Sequence, residues 1–283
     1  MARFLAVDMG AESGRGVVGT LGDDGRLVLE EVHRFPNGPI RIGNSMVWDF
    51  PRLVAETRTA IAKAVESAPI DGLGVDTWGV DFGLLGPSGE IVGMPVHYRD
   101  PRTNGWVERL YSTVPQSEVF AATGIQTMQI NTLFQLAALA EQSPRLIDAA
   151  QKLLFIPDLL HWCLTGRADS ETTIASTSQM WDPVAGDWGR GVLSRLGLPV
   201  HLLPDVVADG TLYGPLLGEG VPASAKGTAV YAPAGHDTAC AVAAVPASPG
   251  DDWAYLSSGT WSLLGVETRT PVLSPKAAAA NIT

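Results

Sequence analysis

Short apolar runs separated by glycine-rich turns make up the first 35 residues of the chain. Residues 4–9 and 16–21 form compact apolar runs, and residues 26–35 alternate between apolar and polar positions. Glycine-containing stretches at residues 10–14 and 22–25 are typical of tight turns. The pattern predicts three strands joined as a β-meander.

Helical spacing of apolar residues follows this meander. Asp49 stands in a helix N-cap position with Pro51 in the first turn, and apolar residues then recur three and four positions apart up to residue 65. A helix is therefore predicted to begin near residue 50. Two further strands are predicted at residues 70–75 and 82–85.

Residues 103–203 show mainly helical periodicity, which is clearest at residues 131–140 and 144–154. Beyond them, a strand near residue 231 runs into a polar turn, and small residues at 239–244 predict a short helix. Residues 245–252 are rich in proline and glycine and indicate a linker.

A strand, a glycine- and serine-containing turn and a second strand are predicted from residue 253 onward. Residues 254–265 thus repeat the plan of residues 4–19, as two like domains facing each other across a cleft would require. The repetition alone does not separate this architecture from two unrelated hairpins. We predict a first domain at residues 1–244, and a linker with the opening strands of a second domain at residues 245–283.

Composition narrows the functional classes. Hydrophobic residues make up 46% of the chain, enough for a sizeable core, and the formal net charge of −11 argues against a nucleic-acid partner. An anionic substrate must therefore be held by local groups. Cys163 and Cys240 are too few for a disulfide framework or a zinc site, which favours the cytoplasm, and no apolar segment is long enough to cross a membrane.

The predicted turn at residues 10–15 is a candidate phosphate site. Its glycines allow backbone N–H groups to converge on a phosphate, and Ser13 and Arg15 add a hydroxyl and a cation. Asp8 ends the preceding strand and is a candidate Mg²⁺ ligand. A tight hairpin with a solvent-facing Asp8 is the alternative. Residues 14–19 match the dinucleotide pattern Gly-x-Gly-x-x-Gly, but they continue into a strand rather than a helix, which excludes that site.

Two other polar stretches could bind a sugar. In residues 76–82, Trp78 could form an apolar wall, Asp76 and Asp81 could accept hydroxyl protons, and Gly79 could let a ligand approach the backbone. The alternative is that the aromatic residues here are core. The polar loop at residues 98–105 could serve binding or helix capping by Thr103 or Asn104.

Asp237 is the best candidate for catalysis, because it lies between an apolar strand and a small-residue helix and could accept a hydroxyl proton. His236 beside it does not indicate a hydrolase triad, since the chain has no Gly-x-Ser-x-Gly motif and adjacent residues in an extended stretch point in opposite directions. Residues 257–260 are a candidate second phosphate loop, facing the first across the cleft.

Taken in order, these segments resemble the rhamnulokinase branch of the FGGY carbohydrate kinases. The matching segments are residues 6–15, 75–82, 98–105, 124–126 with 131–133, 235–239 and 255–262. The resemblance implies an α/β fold of the ribonuclease H-like (actin-like ATPase) type with duplicated domains, the second of them truncated here.

The resemblance also implies ATP-dependent phosphorylation of L-rhamnulose at its 1-hydroxyl, giving L-rhamnulose 1-phosphate in rhamnose catabolism. Asp237 would then be the proton acceptor and Asp8 the Mg²⁺ ligand. The sugar would contact Gly79, His236, Asp237 and Thr238, and ATP would contact Ala11, Glu12, Ser13, Gly14, Arg15 and Thr260.

Two departures from the family pattern leave alternatives open. Glu12 would repel ATP unless its side chain turns outward or faces the magnesium. Residues 277–283 end where the family continues. This ending motivates the hypothesis of a non-catalytic truncated remnant. A kinase for another ketose or polyol is the other competing hypothesis, and no oligomeric state is predicted.

Overall fold

A computed structural model describes residues 1–217, 220–248, 250, 252–259 and 262–283. The strands are β1 (Ala2–Met9), β2 (Ser13–Leu21), β3 (Leu27–Pro36), β4 (Pro39–Ile42), β5 (Ser45–Trp48), β6 (Gly72–Thr77), β7 (Phe82–Leu85), β8 (Lys152–Phe155), β9 (Ser170–Glu171), β10 (Trp181–Asp182), β11 (Asp187–Trp188), β12 (Val206–Val207), β13 (Leu212–Pro215), β14 (Ala229–Tyr231), β15 (Ala254–Ser258) and β16 (Ser262–Val266). The α-helices are α1 (Phe50–Ser67), α2 (Trp106–Tyr111), α3 (Gln116–Thr123), α4 (Thr132–Gln142), α5 (Pro144–Ala149), α6 (Ile156–Thr165), α7 (Thr172–Ser176), α8 (Arg190–Arg195), α9 (Asp237–Ala243) and α10 (Pro275–Ala279).

A six-stranded mixed sheet with the order β13-β14-β6-β1-β2-β3 forms the centre of the molecule. The predicted meander is confirmed, because β1, β2 and β3 pair antiparallel in sequence order. β6 then adds parallel to β1, and β14 adds parallel to β6. The carboxyl ends of these three parallel strands therefore meet at one edge of the sheet, where polar groups are free of the ladder.

Helix α1 begins where the sequence predicts. The Asp49 side chain accepts a hydrogen bond from the Arg52 backbone N–H at 3.2 Å, and Pro51 occupies the first turn. The apolar face of α1 packs against β2 and β3. Gly16 permits this packing, since a Cβ atom there would lie 2.8 Å from the Ala60 Cβ atom.

Residues 103–203 are mostly helical, as expected, but the predicted helix over residues 144–154 is wrong in its second half. Helix α5 ends at Ala149, and β8 pairs antiparallel with β7, from Phe82 opposite Phe155 to Leu85 opposite Lys152. Leu153, Leu154 and Phe155 are fully buried there. Burial on both faces of a strand favours a continuous apolar run, which in sequence resembles a buried helix.

The second predicted hairpin is also present. β15 and β16 pair antiparallel from Ala254 opposite Val266 to Ser258 opposite Ser262, and β15 contacts α9. After α10, Asn281 exchanges two hydrogen bonds with the Thr127 backbone, at 2.8 Å and 3.2 Å. Within the described residues, no helix is long and apolar enough to cross a membrane.

Candidate active site

Three carboxylates come together at the edge where β1, β6 and β14 end. Asp8 and Asp76 are register partners on the parallel strands β1 and β6. The Thr77 backbone N–H donates to the Gly235 carbonyl at 2.9 Å, which fixes the turn after β14 beside β6. Asp237 follows two residues later, so distant segments of sequence converge on one place.

The turn between β1 and β2 is braced from the side of β3. Gly10 N–H donates to the Ser13 carbonyl at 2.9 Å, which closes the turn. Asn37 donates its side-chain amide to the Gly10 carbonyl at 2.8 Å and its backbone N–H to the Glu12 carbonyl at 2.9 Å. A cleft of about 270 Å³ lies beside this turn, and its lining residues are Asp8, Gly10, Ser13, Arg15 and Arg34.

The residues predicted to contact ATP occupy different environments in this turn. Ala11 is half-buried, whereas Glu12 and Ser13 are exposed, and Glu12 is not among the residues that line the cleft. Gly14 is buried under an aromatic ring, since a Cβ atom there would lie 2.2 Å from Cζ of Phe35. Because Glu12 is exposed and does not line the cleft, its carboxylate should repel ATP less than its place in the turn suggests.

Arg15 is paired with Asp8 across the β1–β2 ladder. Its Nη2 and Nε atoms lie 2.7 Å and 2.9 Å from Asp8 Oδ2. The alternative that Asp8 simply faces solvent is therefore only partly right. The Asp8 side chain is 29% exposed, but it is paired with a cation. A ligand phosphate that engages Arg15 would compete with Asp8 for the guanidinium group.

Burial and charge repulsion perturb the other two carboxylates. Burial raises the pKa of Asp76 well above its usual range, and the neighbouring charges of Asp8 and Asp237 raise it further, against the opposing effect of Arg15. Burial also raises the pKa of Asp237, while the neighbouring His236 lowers it. Two neighbouring carboxyl groups with raised pKa values at one edge of a sheet are typical of a functional site.

The perturbation of Asp76 predicts a pH-dependent stability difference. The folded chain keeps the Asp76 proton at pH values where the unfolded chain has lost it, so the free energy of unfolding falls as pH rises through this window. Asp76→Asn removes this titration. The variant should therefore gain stability relative to the parent protein as the pH rises from about 4 to about 8. Urea unfolding at both pH values measures the difference.

The exposed Asp148→Asn substitution controls for the loss of one negative charge at a site outside this cluster. Equal pH dependence of unfolding in the parent protein and in Asp76→Asn would show that burial does not perturb this carboxyl group.

The turn that carries Asp237 is held by two residues that the sequence did not single out. Glu171 Oε2 accepts the Gly235 N–H at 2.7 Å, and Thr173 Oγ1 accepts the His236 N–H at 3.2 Å. An acidic residue directly before a helix is an N-cap signal, and Glu171 does cap α7. Its second contact, 64 residues away along the chain, has no local signal.

His236 and Asp237 lie closer together than the sequence indicated. His236 is the N-cap of α9 and Asp237 its first residue, and His236 Nε2 lies 3.4 Å from Asp237 Oδ1. The argument that these side chains point in opposite directions is wrong, because the backbone turns into a helix here instead of remaining extended. Burial lowers the pKa of His236, which favours the neutral imidazole.

Thr238 completes the turn. Its backbone N–H and its hydroxyl both donate to Asp237 Oδ1, at 2.6 Å and 3.2 Å. These bonds fix one oxygen of the carboxylate, and Asp237 remains 34% exposed. The arrangement presents a held but accessible carboxylate at the edge of the sheet.

Asp81 and Trp78 belong to the core, so of the two alternatives for residues 76–82 the structure supports core packing, rather than a sugar contact, for these two side chains. Asp81 is 1% exposed, and the Trp78 indole lies 4.0 Å from that of Trp48 between ring centroids. Four groups donate to the Asp81 carboxylate: Trp48 Nε1 at 2.6 Å, Trp78 Nε1 at 3.0 Å, Tyr98 N at 3.2 Å and Gln135 Nε2 at 2.9 Å. Burial raises the pKa of Asp81 to about 6, and these hydrogen bonds oppose that rise.

The remaining sequence candidates have mixed outcomes. Gly79 packs against Thr177, since a Cβ atom there would lie 3.0 Å from Thr177 Cβ.

The loop at residues 98–105 contains a cap, but Asp100 provides it by accepting the Arg102 N–H at 2.9 Å. Gly105 is the N-cap of α2 and makes no side-chain cap, so the prediction of capping by Thr103 or Asn104 is wrong.

The second candidate phosphate loop is only partly described. Ser258 and Ser262 face each other at the end of the β15–β16 ladder, with hydroxyl oxygens 3.3 Å apart. Thr260, which was predicted to contact ATP, lies outside the described residues. The opposition of this loop and the β1–β2 turn across a cleft stays a prediction.

Comparison with known proteins agrees with this geometry. A sequence model for the N-terminal domain of the FGGY family of carbohydrate kinases matches residues 3–244. Rhamnulokinases from Bacteroides thetaiotaomicron and Yersinia pestis bv. Antiqua (strain Angola) are 43% and 41% identical to the chain; the matches cover 99% of it and 58% and 57% of the two relatives. The chain therefore spans little more than half the length of these relatives.

Solved structures show the same fold. A carbohydrate kinase from Novosphingobium aromaticivorans matches with a TM-score of 0.79 and 24% identity, over 96% of this chain and 58% of that one. A xylulose kinase from Rhodospirillum rubrum matches with a TM-score of 0.76 and 20% identity, over 89% of this chain and 53% of that one. The expected ribonuclease H-like (actin-like ATPase) α/β fold is confirmed.

Proposed function

Because the chain belongs to the FGGY family of carbohydrate kinases, we propose that the complete product of its gene phosphorylates L-rhamnulose at the 1-hydroxyl with ATP. The product is L-rhamnulose 1-phosphate, an intermediate of rhamnose catabolism. The observation that carries the proposal is the position of Asp237, an accessible carboxylate at the sheet edge shared with the Asp8–Arg15 cleft. The choice of sugar rests on rhamnulokinases that are 41–43% identical to the chain.

In the proposed reaction Asp237 is the general base. The 1-hydroxyl oxygen forms a bond to the terminal phosphorus of ATP, the bond from that phosphorus to the leaving oxygen of ADP breaks, and the hydroxyl proton passes to Asp237. Thr238 and His236 both contact Oδ1, so we assign Oδ2 as the proton acceptor. The neutral imidazole of His236 can hydrogen-bond a sugar hydroxyl without adding charge beside the base. Gly79 and Thr238 are the other proposed sugar contacts.

The β1–β2 turn is the proposed nucleotide contact. Ser13 and Arg15 of this turn line the cleft, where the Ser13 hydroxyl and the Arg15 guanidinium could donate hydrogen bonds to phosphate oxygens. The backbone from Ala11 to Arg15 is the proposed continuation of this phosphate contact. Thr260 would contact ATP from the second loop. The turn is already braced before any ligand arrives.

The donor chemistry of the site fits Mg²⁺, which binds carboxylate oxygens and substrate phosphates. Asp8 is the proposed ligand, and the Asp76 carboxyl lies beside it in register. Among the described residues no group of three or more His, Cys, Asp or Glu side chains could hold a metal ion, so phosphates of ATP and water would complete the coordination. Bound magnesium would neutralise part of the phosphate charge.

We retain two further parts of the expected picture as proposals. Residues 1–244 would be the sugar-binding kinase domain, and residues 245–283 the linker and first strands of a nucleotide-binding domain. The reaction would take place in the cytoplasm, which agrees with the two free thiols of Cys163 and Cys240.

A coupled assay of ADP release tests the proposed function on the complete gene product. We expect kcat/KM for L-rhamnulose to exceed that for D-xylulose and glycerol by at least about 10-fold, the scale of discrimination available to a substrate pocket. A higher value for another sugar would replace the substrate, and ADP release with none of them would support a non-catalytic protein. Reactions without any sugar control for background ATP hydrolysis.

A further inference from the structure

We propose that Glu171 and Thr173 are positioning residues, which hold the backbone of residues 235–236 and thereby set the direction of the Asp237 carboxylate. This inference rests on the proposed function for its catalytic meaning. Its structural content, a turn held by two side chains from another part of the chain, can be tested separately.

Glu171 is a buried carboxylate held by neutral donors. It is 1% exposed, and within the described part of the chain it forms no ion pair with a lysine or arginine. Oε1 accepts the Thr173 N–H at 2.8 Å, and Oε2 accepts the Ile174 N–H at 3.2 Å and the Gly235 N–H at 2.7 Å. The start of α7 and the turn before Asp237 are thus joined through one carboxylate.

Thr173 extends this connection by one residue. Its hydroxyl donates to Glu171 Oε2 at 2.7 Å and accepts the His236 N–H at 3.2 Å. A single hydroxyl therefore uses both its donor and its acceptor capacity between the carboxylate and the turn. Removing it would leave the His236 N–H without its partner at the residue directly before Asp237.

Gly235 shows how closely the turn approaches Glu171. A Cβ atom at position 235 would lie 3.0 Å from Glu171 Oε2 and 3.3 Å from Ile174 Cβ. On its other side, the Gly235 carbonyl accepts the Thr77 N–H at 2.9 Å. The backbone of Gly235 is consequently held by Thr77 of β6 on one side and by Glu171, the N-cap of α7, on the other.

Helix α9 contributes little packing that would hold the Asp237 carboxylate in one direction. It has seven residues, and none of them is buried. A short helix without a buried face is stabilised weakly by its own hydrogen bonds. The direction of its first residue, Asp237, therefore depends on the preceding turn, where the contacts of Glu171 and Thr173 act.

The backbone of Glu171 is itself held by a buried carboxylate. Asp158 is fully buried, and its carboxylate accepts the Ser170 hydroxyl at 2.6 Å and the Glu171 N–H at 3.2 Å. These bonds fix the backbone from which the Glu171 side chain projects. Asp158 thus holds Glu171, and Glu171 holds the turn.

The isosteric pair Thr173→Val and Thr173→Ser tests the inference on the complete gene product. Thr173→Val removes the hydroxyl, and we expect kcat for L-rhamnulose to fall by roughly 10-fold or more with the sugar KM within about 3-fold, because misplacing a catalytic group slows the chemical step. Thr173→Ser keeps the hydroxyl and should retain kcat within about 3-fold. Unchanged kcat in Thr173→Val, or equal losses in both variants, would overturn the inference.

A double-mutant cycle separates positioning from general destabilisation. If Thr173 acts through Asp237, Thr173→Val should cause no further loss of kcat in an Asp237→Asn background. A loss of the same factor in both backgrounds would show that Thr173 acts independently of Asp237 and would overturn the inference.

Hydrogen exchange keeps the inference testable if the protein phosphorylates no sugar, which would defeat the proposed function alone. In Thr173→Val the amide of His236 should exchange at least about 10-fold faster than in the parent protein, while the amides of β1 keep their rates. Thr173→Ser should match the parent protein. Unchanged exchange at His236 in Thr173→Val would contradict the structural part of the proposal.

Discussion

The Asp237→Asn variant is expected to lose about 10²–10⁴-fold in kcat for sugar phosphorylation, the usual contribution of a general base. Asparagine keeps an oxygen that can accept the hydrogen bonds of Thr238, which reach Oδ1 at 2.6 Å and 3.2 Å, so the turn should keep its shape. The amide cannot take the hydroxyl proton. Steady-state kinetics with L-rhamnulose should show the loss in kcat, with the sugar KM changed by less than about 3-fold.

The pH profile gives the same test a second readout. Burial raises the pKa of Asp237, so the active, ionised form should be lost as pH falls through that raised value. This acidic limb of kcat/KM should be absent from the residual activity of Asp237→Asn. The exposed Asp23→Asn substitution is the matched control and should leave kcat unchanged. Near-full turnover by Asp237→Asn would remove the residue from the role of base.

The Asp81→Ala variant is expected to lose about 3–5 kcal/mol in the free energy of unfolding, because several buried donors lose their common acceptor at once. The indole N–H groups of Trp48 and Trp78 lie 2.6 Å and 3.0 Å from Asp81 Oδ2, and Asp81 is 1% exposed. Equilibrium unfolding in urea measures the change.

Two control variants show whether the loss of stability in Asp81→Ala is due to the missing hydrogen-bond acceptor. Asp23→Ala makes the same chemical change at an exposed side chain and should shift stability by less than about 0.5 kcal/mol. Trp78→Phe removes one donor and keeps an aromatic ring, so its cost should be smaller than that of Asp81→Ala. A loss below about 1 kcal/mol in Asp81→Ala would mean that the donors find other partners.

Local signals in the sequence were sufficient for the elements that depend on local contacts. The three strands of the meander and helix α1 follow from turns and caps within a few residues, such as Asp49 before Pro51. The sequence predicts helix, not strand, at residues 152–154 because the apolar run of β8 is short and its partner β7 lies about 70 residues earlier in the chain. Pairing at that distance overrides local propensity and leaves no trace in the run itself.

For the candidate site too, local signals identify the individual segments, whereas their arrangement depends on contacts between distant parts of the chain. The segments that carry Asp8, Asp76 and Asp237 could be identified one by one, because each polar residue stands near the end of an apolar strand or shortly after it. Their convergence required the parallel order of β1, β6 and β14. Asp81 looked equally suited to a sugar, since a sequence does not show that its carboxylate is already saturated by indole and amide donors.

Asn37 has a consequence for the thermodynamics of ligand recognition. By tying the Gly10 and Glu12 carbonyls to the end of β3, it removes conformational freedom from the loop while the chain folds. A nucleotide arriving at such a preorganised loop does not have to order it, so more of each contact's free energy appears as affinity. The strength of binding at the cleft is thus partly determined by an amide that need not touch the nucleotide.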